Sequence, residues 1–185
     1  MLRLRRLAPV ALILAAWSSP AAARPQLSGG LTTGAALTDL RESVGPRLAY
    51  HLGLRADLLF GRGRSSDMAI GPYVDLATAA FDSIEPGGGV AWLVPAGSTA
   101  FVLSAGGFAR GERDRGWSPG AAGTLFWGSR SYNFHGTYGL TVGLFAQGRY
   151  GLDPAIPQAD AIVGVRVDLA YLALPVILAV EAIRR

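Results

Sequence analysis

The sequence predicts an all-β protein: a single antiparallel transmembrane β-barrel of about eight strands, with an optional short C-terminal helix. Three observations predict it. Half of the residues are hydrophobic and only 16% are charged, against about a quarter in ordinary soluble domains. Beyond the N-terminal leader no segment reaches the ~18 to 20 apolar residues that a spanning helix needs. The longest run, Leu169 to Val180, is interrupted by Pro175. Apolar residues instead recur at alternate positions, the period of a strand with one apolar and one polar face. A transmembrane barrel combines these properties, because its lipid-facing residues occupy every second position and never form a run.

Residues 1–23 read as a cleaved secretory signal. Arg3, Arg5 and Arg6 form a basic start, Leu7 to Trp17 an apolar core, and Ala21-Ala22-Ala23 a small-residue cleavage site. Residues 24–185 then make one barrel domain. The 17 basic and 13 acidic groups become nearly balanced once the three leader arginines are removed. The basic character of the whole chain is therefore no argument for a nucleic acid partner. There is no cysteine, which excludes disulfides, thiol nucleophiles and cysteine metal sites.

The first strand carries a weakly apolar parity through Leu27, Gly29, Leu31, Thr33, Ala35 and Leu37. The second, RLAYHLGLRADLLF, is clearer. Leu48, Tyr50, Leu52, Leu54, Ala56, Leu58 and Phe60 fall on one face; Arg47, His51, Arg55 and Asp57 fall on the other. Met68, Ile70, Pro72, Val74 and Leu76 mark a third strand, opposite Asp67, Gly71, Tyr73 and Asp75. Val90, Trp92 and Val94 mark a fourth. Phe101, Leu103 and Ala105 mark a fifth, opposite Ser104 and Arg110. A sixth runs through the glycine-rich stretch around Ala121 to Arg130. The seventh alternates Tyr138, Leu140, Val142, Leu144, Ala146 and Tyr150 with Thr137, Gly139, Thr141, Gly143, Gln147 and Arg149. The eighth alternates Ala161, Val163, Val165, Val167, Leu169 and Tyr171 with Asp160, Gly164, Arg166 and Asp168. Turns are expected at Ser43 to Pro46, Gly61 to Ser66, Glu85 to Gly89, Pro95 to Ser98, Gly111 to Pro119 and Leu152 to Gln158.

Which face points inward decides the class of protein. A soluble lipocalin-like carrier puts the apolar face inside, around a ligand. Its outer coat here would be mostly glycine, too sparse for solubility. With the apolar face outward, glycines, small residues and charges of both signs fill a narrow interior. That places Arg47, His51, Arg55, Asp57, Asp75, Arg149, Arg166 and Asp168 in a polar network in the lumen. A single arginine on the lipid side would cost about 2 to 4 kcal/mol at the midplane. The clearly patterned strands carry no charge on that parity. Trp92, Trp127, Tyr50, Tyr138, Tyr150 and Tyr171 then suit two aromatic girdles.

A signal followed by alternating glycine- and aromatic-rich strands resembles the small outer-membrane β-barrel proteins of Gram-negative bacteria, across essentially all of residues 24–185. The resemblance implies an outer-membrane address, lipid and lipopolysaccharide as surroundings, the barrel-assembly machinery as a partner, and a monomer with a structural, adhesive or surface-display role. Such barrels usually end on an aromatic residue, whereas this chain ends VEAIRR. Pro175 to Arg185 is expected as a short amphipathic helix or a continued strand.

Candidate chemistry is sparse. No cofactor or metal is expected: His51 and His135 are the only histidines, and His51 fits a structural place in the lumen. His135 and Thr137 resemble, in part, the His-x-Ser pair of barrel enzymes that deacylate lipid A. Thr137 stands at the nucleophile position, but Gln147 and Arg149 occupy the following strand where a carboxylate is needed. The stretch GERDRGW, 111–117, is expected in an outer loop whose arginines suit lipopolysaccharide phosphates. Gly87 to Gly89 lacks the Lys-Ser/Thr of a phosphate loop. A porin-like conducting channel is a further reading, although eight strands leave room for little more than side chains.

Overall fold

A computed structural model describes residues 24–41, 45–113, 115–131, 138–154, 158–173 and 180. Residues 1–23, expected as a signal, and His135 and Thr137 lie outside the described residues. Eight strands form one closed barrel in sequence order: β1 (Gln26–Thr38), β2 (Arg47–Leu59), β3 (Ala69–Ala79), β4 (Ser83–Ala96), β5 (Thr99–Glu112), β6 (Gly116–Arg130), β7 (Thr141–Gly151) and β8 (Ala159–Asp168). Each strand pairs antiparallel with the next, and β8 closes on β1 from Gly30↔Asp168 to Leu37↔Ala161. The chain then turns helical at residues 169–173, and residue 180 is also helical. The remainder of Pro175 to Arg185 lies outside the described residues.

The parity read from the sequence is the parity of the barrel. In β2, Ala49, His51, Gly53, Arg55, Asp57 and Leu59 are on the buried side, while Leu48, Tyr50 and Leu54 are exposed. The outer wall is apolar, with Leu48 at 73%, Val74 at 62% and Val163 at 60% exposure. The interior carries the charges and a few aromatic rings.

The interior is narrow, and glycine is what makes room in it. On the inner face, Gly128 of β6 and Gly143 of β7 are direct cross-strand partners. A Cβ added to Gly143 would sit 2.6 Å from Gly128 Cα and 2.7 Å from the Phe126 ring. The tip of the ring thus occupies the space beside the two glycines, and a side chain there would displace it. Gly34 and Gly164 form an equivalent pair at the β1–β8 closure.

Several turns fall elsewhere than the sequence suggests. Glu85 to Gly89, expected as a turn, is the first half of β4. The reversal comes earlier, at Ala80–Asp82, with Ala80 and Phe81 in the left-handed region at φ 50° and 63°. The glycines of β4 serve packing: a Cβ on Gly87 would collide with Asp75 Oδ1 of β3, and Gly88 and Gly89 abut Gly106 and Gly107 of β5. The GERDRGW stretch is no extended loop. Gly111 and Glu112 end β5, and Gly116 at φ 75° starts β6. Pro95 and Ala96 likewise belong to β4, leaving Gly97 and Ser98 as a two-residue reversal. Hairpins with so few linking residues keep neighbouring strands in strict register.

Candidate functional site

The charged lumen is the feature that sets this barrel apart from a purely apolar core. Inward positions of alternate residues converge on the axis, so groups from strands far apart in sequence meet there. Two ion clusters form, one towards each end.

The cluster nearer the chain termini is built on Asp57, which is 1% exposed. Arg55 Nε donates to Asp57 Oδ1 at 2.8 Å. Arg166 Nη1 and Arg130 Nη1 donate to Asp57 Oδ2 at 2.8 and 3.2 Å. Arg130 Nη2 also donates to Ser28 Oγ at 2.8 Å, and Arg55 Nη2 to Ser104 Oγ at 2.6 Å. Arg55 lies over the Tyr73 ring at 3.9 Å, a cation–π contact in a desolvated setting. Asp168 stands nearby but is held by neutral donors: Tyr138 Oη at 2.7 Å, Thr141 N at 3.1 Å and Ala170 N at 2.9 Å.

The second cluster lies towards the end formed by the β1–β2, β3–β4 and β5–β6 hairpins. Glu85 forms ion pairs with Arg110, whose Nε is 2.5 Å from its Oε1, and with Arg149; Arg110 also pairs with Asp160. Ser83 Oγ donates to Glu85 Oε1 at 3.1 Å, and Asp39 N to Asp160 Oδ1 at 3.2 Å. Arg110 and Arg149 also approach the Phe108 ring, at 5.8 and 5.4 Å.

Between the clusters sits a layer of mixed polarity. His51 is buried, with Nε2 3.4 Å from Thr32 Oγ1 and its ring 5.7 Å from that of Phe145. Gln147 Nε2 donates to Thr124 Oγ1 at 3.1 Å, and Gln147 Oε1 accepts from Arg149 Nε at 3.1 Å. The cavity left here is about 20 Å³, room for a single water-sized particle. At this level side chains close the lumen.

Of the residues expected in the lumen, His51, Arg55, Asp57, Asp75, Arg149, Arg166 and Asp168 are on the inner face. Arg47 is not. It begins β2, where the wall ends, and its side chain is 60% exposed, pairing with Asp39 at 3.7 Å and Asp82 at 3.5 Å on the rim. Arg47→Ala is therefore expected to change stability by less than about 1 kcal/mol, as for other exposed ion pairs. A urea titration of the folded barrel checks it, and a larger loss would return Arg47 to the lumen network.

Glu85, Arg110, Arg130 and Asp160 carry as much of the network as the expected residues. Arg110 and Asp160 stand on the polar parity, so the signal was present in the alternation itself. Glu85 was masked by the turn signature of the following glycines. For the sequence as a whole, no family model matches the chain, and the search of curated proteins finds no significant match.

Proposed function

We propose that this barrel resides in a bacterial outer membrane, where it acts as a structural, adhesive or surface-display scaffold with a closed polar lumen. The observation that carries the proposal is the outer wall. Leu48, Leu54, Val74, Leu76, Val90, Leu103, Leu144 and Val163 are all exposed, on an apolar surface far larger than a soluble monomer shows. Aromatic residues add to it at both ends. Trp92, Trp127, Tyr138 and Tyr171 lie towards the terminal end, and Tyr50, Trp117 and Tyr150 towards the other. This is the arrangement of girdles at the two membrane interfaces. A lipocalin-like carrier needs an apolar cavity, whereas ion pairs line this one.

Fractionation of cells expressing the full chain tests the reading, together with gel migration with and without boiling. Recovery in the outer membrane, with a band that shifts on boiling, is the expected result. Detergent-free recovery from the periplasm would overturn it.

A further inference from the structure

We propose that the mid-lumen cavity is a binding site for one small monovalent inorganic anion of the chloride class. The cavity is lined by three guanidinium groups, Arg55, Arg149 and Arg166, against one carboxylate, Asp75. Arg55 and Arg149 are committed to partners on either side, to Asp57 and Ser104 and to Glu85 and Gln147. Arg166 is not fully committed. It is 3% exposed, and only its Nη1 is used, on Asp57. Its Nε and Nη2 are buried with no hydrogen-bond partner among the described residues. A guanidinium with two idle N–H donors in a desolvated space is costly.

The sharing of carboxylates points the same way. Arg55, Arg130 and Arg166 all converge on the single carboxylate of Asp57. Asp168 is the second carboxylate at that level, and it is taken up by Tyr138, Thr141 and Ala170. Asp75, the cross-strand partner of Arg55, is the third carboxylate beside these cations, and none of the three accepts from Nε or Nη2 of Arg166. Two neutral donors complete the site. The Nδ1 of His51, in the same lining, is also buried without a partner. In the tautomer whose Nε2 accepts from Thr32 Oγ1, that Nδ1 carries the proton and is a donor, which is the tautomer an anion selects. The amide of Gln147, one of whose two N–H groups is used on Thr124, is also in the lining. A space of about 20 Å³ admits a halide but no phosphate or carboxylate ligand.

The test follows the folded barrel through heating in chloride, bromide and gluconate at equal ionic strength and pH. A ligand at about a hundred times its Kd raises the midpoint of a chain this size by roughly 5 to 10 °C. The expected result is a saturable rise of that order in chloride and bromide over gluconate, absent in Arg166→Met. Crystals of the unaltered protein grown with bromide provide a readout that does not depend on the variant folding. An anomalous peak beside Arg166 inside the lumen is expected. Equal midpoints in all three salts, or bromide found only on the outer surface, would overturn the proposal and leave the cavity to water.

Discussion

Asp57→Ala is expected to remove about 3 to 5 kcal/mol of stability, the cost of stripping the partner from a buried ion cluster. Arg55, Arg130 and Arg166 all donate to this one carboxylate, at 2.8, 3.2 and 2.8 Å. Without it three buried guanidinium groups face each other with Asp168 and Asp75 as the nearby carboxylates. Domains are held by only about 5 to 15 kcal/mol, so the variant loses a large share of its reserve. The measurement is the urea midpoint of the folded, heat-modifiable form. A second substitution sharpens the test: Asp57→Ala combined with Arg130→Met removes one of the stranded cations and should recover part of the loss. Non-additivity of that kind is the signature of groups acting as a unit. A change below about 1 kcal/mol in the single variant would show that the cluster is not what holds these strands together.

The second large effect concerns the outer wall. Val74 lies at the centre of β3, between Ala56 and Gly88 of the adjoining strands, and is 62% exposed. Leu48 lies next to the end of β2, at the rim. If lipid covers the wall, Val74→Arg costs about 2 to 4 kcal/mol and Leu48→Arg about 0 to 1 kcal/mol, because the penalty depends on depth. If water covers it, both changes stay within about 0.5 kcal/mol. Urea unfolding from lipid bilayers measures both. Equal small effects would refute the membrane proposal, whatever becomes of the lumen.

The strand count and the inside-outside assignment were legible in the sequence because both rest on parity, and parity survives errors of a few residues in strand ends. Leu48 to Phe60 shows this: a single rule placed His51, Arg55 and Asp57 inward. The strand ends were less legible. Glycine is ambiguous there, since it serves both reversals and close packing. In Glu85 to Gly89 it serves packing against Asp75 and the β5 backbone, and the chain instead turns at residues with no turn signature, Ala80 and Phe81. Pairings across the lumen were not legible at all. Glu85 meets Arg110 and Arg149 because the register of several strands brings them to one height, and that register is fixed by the hairpins together. Arg47 failed for a simpler reason: parity gives the face but not whether the wall extends far enough to cover it.

Closure of β8 on β1 has a kinetic consequence. Neighbouring hairpins can form from local contacts, but this seam joins distant parts of the chain: Asp39 N donates to Asp160 Oδ1 across 121 positions. Contacts of such range are made late, because the chain must surrender loop entropy before they return anything. The strand at this seam is also the one that carries Arg166 and Asp160, a member of each ion cluster. Until the seam closes, the sheet has two open edges, and the ion pairs from Arg166 to Asp57 and from Asp160 to Arg110 across the lumen are not made. Assembly is thus made nearly all-or-none, and a chain stalled one strand short has no comfortable resting state.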